Sequence, residues 1–150
     1  MQPFKQHIIA ACLNHLTQKV KGLNDIIRDV NEAGNSESKS SAGDKHETAK
    51  AMAQLEQEKL GNQLKEAELQ LLEFKKYDFA KTSSTITHGS LIETNKGYFF
   101  IASSIGKMEV EGKAVFVISG KSPLAVAFAG KLQKDKVSFN GVDYVIVAIF

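Results

Sequence analysis

The sequence has one cysteine, Cys12, no tryptophan, two prolines and, among 19 basic side chains, a single arginine, Arg28. Each shortage excludes something. One cysteine leaves no internal disulfide and no cysteine-built zinc site. Its neighbours Ile8, Ile9, Leu13 and Leu16 predict a buried thiol that packs as a small apolar side chain. With one arginine and its lysines scattered, the chain has no basic face of the kind that reads duplex DNA, so sequence-specific DNA binding is not expected. No run approaches the ~20 apolar residues of a membrane-spanning helix. The opening MQPFKQHIIAACLNHLTQK is broken by His7 and Asn14, and its apolar core is too short for a signal peptide. The expectation is a cytoplasmic protein with no membrane partner.

What is present is ordinary in amount and unusual in arrangement. The 150 residues are 43% hydrophobic and 24% charged, with a net charge of +2, within the range of globular domains. The chain changes character near residue 80. Ile9, Leu13, Leu16, Val20, Leu23, Ile27 and Val30 step alternately by four and three, the spacing of one apolar stripe on a helix. Leu60, Leu64, Ala67, Leu71 and Phe74 repeat it, with Met52 and Leu55 extending the second stripe past a slip near Lys59. Between the stripes NEAGNSESKSSAG has the composition of a loop. The economical structure for residues 1–79 is an antiparallel helical hairpin of coiled-coil type, each seam buried on the other, with a tip loop at about 34–46.

Residues 80–87 are small and polar and are expected to link the hairpin to a second domain, 88–150. There the apolar period shortens to two. SLIET, GYFFIAS, MEVEG, AVFVIS, VSFN and DYVIVAIF predict short strands. Asn95 to Gly97, Gly106, Glu111-Gly112 and Asn140-Gly141 separate them as turns, and Asn140-Gly141 is the strongest signal of a hairpin. PLAVAFAGK predicts one short helix, with Pro123 in its first turn and Gly130 at its end. The fold class is therefore α+β: a helical hairpin, then a small, largely antiparallel sheet with one helix.

Chemistry-bearing residues are few. Asp44 and Glu47 stand three apart at the head of the second helix. Asp44 suits an N-cap and Glu47 the N3 position, so the pair fits a capping box. The same two carboxylates, at the tip of a hairpin, also suit a hard cation such as Mg²⁺, provided a partner completes the oxygen ligands. His46 between them reads as a solvated tip residue. His7 and His15 are expected to be half-buried packing residues, and His88 has no evident partner. Gly120-Lys121-Ser122 lacks the upstream glycine of a phosphate-binding loop, with Val115 at that position. Tyr98 and Phe100 alternate with Phe99, so they fall on opposite sheet faces. Sheet core accounts for them, and a prolyl-isomerase pocket is the lesser alternative.

A helical hairpin, a tip reading Gly43-Asp44-x-x-Glu47-x-Ala49, a linker and a small β-rich domain together resemble the Gre transcript cleavage factors of bacteria. The segment ISGKSPLAVAFAGKLQKDKVSFNGVDYVIVAIF is similar to the end of the Gre C-terminal domain, with Ser122, Pro123, Leu124, Gly130, Lys131 and Asp135 on its pattern. The resemblance covers nearly the whole chain. It implies an FKBP-like C-terminal domain that docks on RNA polymerase through the Ser122-Pro123-Leu124 region. It implies a hairpin that enters the secondary channel and touches nascent RNA indirectly. It also implies that Asp44 and Glu47 help hold the catalytic Mg²⁺ that cleaves backtracked RNA. The protein would then be an accessory factor, since the hydrolytic centre belongs to the polymerase. Thr48-Ala49-Lys50-Ala51 follows the carboxylates where the family typically has Asn-Ala-Glu-Tyr. A catalytically silent channel-binding regulator is therefore one alternative. A coiled-coil module for another partner is a second.

The helical seam is directly testable. Leu23→Asp places a charge within it and should cost several kcal/mol, on the order of 3. A marked fall in helicity by circular dichroism is the expected result, and unchanged helicity would contradict the seam.

Overall fold

The computed structural model describes residues 1–38 and 44–150, and side chains outside 34–46. Two long helices come first, α1 (Pro3–Ser38) and α2 (Asp44–Lys76). Six strands and one short helix follow: β1 (Leu91–Thr94), β2 (Gly97–Ile101), β3 (Gly106–Val110), β4 (Lys113–Ile118), α3 (Pro123–Phe128), β5 (Lys136–Phe139) and β6 (Val142–Ile149). The α+β class read from the sequence is the observed one. The strand order is β3-β4-β2-β1-β6-β5. The sheet is mixed where an antiparallel one was expected, because β2 and β4 pair in parallel, Tyr98 opposite Val115 and Ile101 opposite Ile118. β4 returns from the Glu111-Gly112 turn and slots between its two predecessors. The expected hairpin at Asn140-Gly141 forms, and the turn at Glu111-Gly112 makes another. Glu111 and Gly112 (φ 53° and 74°), like Asn140 and Gly141 (49° and 76°), take the positive φ pair of a type I′ turn.

The chain divides into two compact units, residues 1–13 with 74–150, and residues 14–73. This division differs from a boundary at 79/80 because both ends of the helical region carry side chains that bury in the sheet unit. The sheet has two apolar faces. On one, Ile92, Phe99, Ile101 and Ile146 pack with Ala125 and Phe128 of α3, and Ile86 joins them. Ile86 is pinned there by main-chain bonds to Lys131 and Gly130, so the expected linker 80–87 includes a core residue. On the other face, the Phe4 ring meets Tyr98 edge-on at 5.0 Å. Cys12 Sγ lies 3.8 Å from Met108 Sδ, and Phe79 lies 5.4 Å from Phe100. Phe99 and Phe100 thus point to opposite faces, as alternation requires. Cys12 is fully buried, and burial pushes its thiol up to about 12.

In the helical unit, Leu16, Leu60 and Ala67 are buried, and Val20, Leu23, Ile27, Val30, Leu64 and Leu71 are half-buried. The stripe does not extend through Met52 and Leu55, which are both 66% exposed. The four-three rhythm instead continues back from Leu60 through Gln57 and Ala53. Gln57 Nε2 donates to Asn31 Oδ1 at 2.8 Å, a polar link between the two helices. No helix among the described residues is long and apolar enough to cross a membrane.

Lys5 is 1% exposed, and its Nζ donates to the Phe150 main-chain oxygen at 3.1 Å. Burial lowers its pKa from the ordinary lysine value. The folded form therefore sheds this proton at lower pH than the unfolded chain does. The cost of burying the charge is fully present below the lowered pKa, and stability rises with pH between the lowered pKa and the unfolded one. Phe150 O also accepts from Leu91 N at 2.9 Å, so removing the amine orphans nothing. Lys5→Met should stabilise by about 1 kcal/mol at pH 7 and flatten the alkaline rise. Urea denaturation at pH 7 and pH 10 measures both effects.

Candidate functional site

The sequence points to two places. The first is the head of α2, which begins at Asp44. Glu47 stands in the first turn, and its side chain is exposed. Of the expected tip loop at 34–46, residues 34–38 continue α1 and residues 44–46 open α2; residues 39–43, with the side chains of Asp44 and His46, lie outside the described residues. The helix that begins here runs for 33 residues, about 50 Å at 1.5 Å per residue. A carboxylate so placed serves no core, and it is open to solvent and to any partner.

The second place is Ser122-Pro123-Leu124. Ser122 is the N-cap of α3 and accepts from Ala125 N at 3.3 Å. Its hydroxyl also donates to Ser119 O at 2.7 Å. Pro123 occupies the first turn, where its missing N–H costs nothing. Leu124 packs against the core beneath. The motif thus has a complete local explanation: a cap, a rigid start and an anchor. Pro123 and Val126 remain exposed on the same short helix, the latter by 62%. The preceding Gly120-Lys121 belongs to a tight turn in which Lys121 N donates to Ser119 Oγ.

The histidines behave differently from their sequence reading. His7 and His15 are exposed and do not pack at half burial. They fall off the buried stripe of α1. His7 Nδ1 pairs with Glu111 Oε1 on the turn between β3 and β4. His88 does have a partner: its ring meets Tyr77 edge-on at 4.4 Å, and Tyr77 Oη donates to His88 O at 2.6 Å. Partial burial lowers the His88 pKa. Tyr77 also explains Gly89, where a Cβ would stand 2.5 Å from the tyrosine ring. The Tyr77 contact escaped sequence reading because an aromatic at a helix end has no periodicity to betray it. The Gly89 before a strand was the available signal.

The aromatic cluster around Phe99 fills its own space. Phe116, Phe128 and Tyr144 stand 5.3, 5.3 and 5.5 Å from it. An open cleft of about 320 Å³ is lined instead by Ser84, Leu132, Gln133 and Ile149. Among the described residues, no three His, Cys, Asp or Glu side chains come together as a metal-binding group.

No protein-family model matches the chain, and no protein of curated function matches it in sequence. Among solved structures, that of the transcription factor Gfh1 is similar over 91% of this chain and 92% of its own, at 15% identity and a TM-score of 0.35.

The cap role of Ser122 is measurable by itself. Ser122→Ala removes the acceptor for Ala125 N and the donor to Ser119 O, and should cost about 1 kcal/mol. A lower urea midpoint at unchanged slope is the expected result.

Proposed function

We propose that this protein is a transcription elongation factor of the Gre type. In this reading it binds RNA polymerase through the secondary channel and helps the enzyme cleave backtracked RNA. Asp44 and Glu47 help position the catalytic Mg²⁺, and the protein supplies no hydrolytic centre of its own. The observation that carries the reading is the placement of the carboxylates. They stand in the first turn of a 33-residue helix, Glu47 is exposed, and a second long helix precedes them. The order of two long helices and then a small β-rich unit with one short helix is the order that the family resemblance implies.

The residues fit a shared metal better than a private one. Two carboxylates give hard oxygen donors of the type Mg²⁺ takes, but too few to hold it tightly. The polymerase would provide the rest. When bound, the ion would supply activation of the attacking water. The contribution of this chain is to bring two negative oxygens to the place where the polymerase holds its ligands. Docking belongs to the sheet unit, where Pro123 and Val126 are exposed beside the capped Ser122 and the anchored Leu124. Contact with nascent RNA would be indirect, and the setting would be the cytoplasm.

Thr48-Ala49-Lys50-Ala51, which lacks the acid and aromatic the family typically carries after the glutamate, favours a second reading. There the protein occupies the channel and regulates without stimulating cleavage.

One assay separates the two. Backtracked complexes of the cognate polymerase are mixed with wild type or with Asp44→Asn/Glu47→Gln, in Mg²⁺, and binding is measured in parallel. The proposal expects wild type to accelerate RNA 3′-end cleavage and the variant to lose about 10–100-fold of that effect, with binding unchanged. Binding without acceleration by either protein would select the silent regulator. Absence of binding would remove both readings.

A further inference from the structure

The side of α2 that faces away from α1 carries large apolar side chains that the helical unit leaves in solvent. Met52 and Leu55 are each 66% exposed, Leu69 56% and Leu72 47%. They do not belong to the inward stripe. Asn62 lies two residues from both Leu60 and Leu64, which is about 200° round the helix and so on the opposite side. Leu55 precedes Asn62 by seven residues and Leu69 follows it by seven, so all three share one line to within about 20° per heptad. Met52 and Leu72 flank that line, ten residues before and ten after.

The pattern is therefore symmetric about Asn62, and such symmetry is what a twofold axis requires. In an isologous contact residue i of one copy meets residue j of the other, and j meets i. With two α2 helices antiparallel and the axis at Asn62, Leu55 meets Leu69 twice over, while Met52 and Leu72, about 80° to either side of the line, stand at opposite edges of the contact. Charge then fixes the direction. In this arrangement Glu58 falls within one residue of Lys65 of the second copy, and Lys59 within one residue of Glu66. All four side chains are exposed. A parallel arrangement would set each of these charges against its own kind. The Asn62 amide, donor and acceptor at once, can bond to its own counterpart on the axis.

We propose that the outer face of α2 is a homodimer interface, antiparallel and centred on Asn62. The proposal does not depend on polymerase binding. The paired line runs from residue 55 to residue 69, about 20 Å of helix. A single helix pairing of this length lies at the small end of specific interfaces, so the dimer forms in the micromolar range.

Sedimentation equilibrium on the full chain, up to about 0.5 mM, should show a reversible monomer–dimer equilibrium. Leu55→Glu/Leu69→Glu should be monomeric at unchanged helicity, because both side chains are exposed in the single copy. Glu58→Lys should weaken the dimer by about tenfold, and adding Lys65→Glu should restore it. Under mild oxidation Asn62→Cys should form a disulfide-linked dimer. Met52→Cys should not, because the two copies of residue 52 stand about 30 Å apart. Cys12 is buried and adds no background. A wild type that stays monomeric overturns the proposal, as does a dimer that survives Leu55→Glu/Leu69→Glu. Equal cross-linking at residues 52 and 62, or failure of the charge swap to restore association, overturns the antiparallel register.

Discussion

A sheet buried on both faces governs this molecule. β2 carries Phe99 and Ile101 toward one side and Tyr98 and Phe100 toward the other, and Phe99, Phe100 and Ile101 are all nearly inaccessible. The chain after residue 80 has only α3 to offer as cover, and six residues of helix cannot shield two faces. The second face is closed by the first turns of α1, through Phe4, Ile8 and Cys12, and by Phe79 beyond the end of α2. The helical region is thus tied into the sheet at both of its ends. This explains why the sheet unit takes up residues 1–13 and leaves 14–73 as the other compact unit. It also explains Lys5, a lysine forced into the interior by the register that buries Phe4 and Ile8. Its amine finds the Phe150 main-chain oxygen, a neutral acceptor.

Where a local rule fixed the outcome, the sequence was readable. Asn140-Gly141 specifies its own turn, because few other pairs tolerate positive φ twice in succession. Ser122-Pro123 specifies the start of α3 for a similarly local reason. The helical stripes were legible from Ile9 to Val30 and from Leu60 to Phe74, where each step of four and three leads to a buried or half-buried side chain. The parallel pairing of β2 with β4 was not legible. Strand pattern reports which residues face the core and is silent on which strand lies beside which, and a strand that slots between its predecessors leaves no local mark. The inclusion of residues 1–13 with the sheet was hidden for the same reason, since an apolar helical stripe looks alike whether it meets a helix or a sheet.

The candidate site was legible in its chemistry and ambiguous in its purpose. A helix start and a metal-positioning tip call for the same residues, carboxylates spaced by one turn, so no reading of Asp44 and Glu47 alone could choose between them. Ser122 poses the same difficulty from the other side. Its hydroxyl donates to Ser119 and accepts from Ala125, so the cap accounts for it, and the exposed surface there is formed by Pro123 and its neighbours. The histidines misled because burial was inferred from their nearness to an apolar stripe. One residue of helix is about 100° of rotation, enough to move His7 and His15 into solvent.

Met52 and Leu55 show the same rotation acting on apolar residues. They precede Leu60 and look like a continuation of its stripe interrupted by a slip. No slip is needed if α2 carries two registers. One runs through Ala53, Gln57, Leu60, Leu64 and Ala67 and faces α1, with the Gln57–Asn31 bond as its polar layer. The other runs through Leu55, Asn62 and Leu69 on the far side, with Asn62 as a polar layer of its own. A single asparagine or glutamine in an apolar seam costs stability and specifies register. A helix with two such seams, each punctuated by an amide, has two faces built for specific pairing. Only one of them is satisfied within the chain.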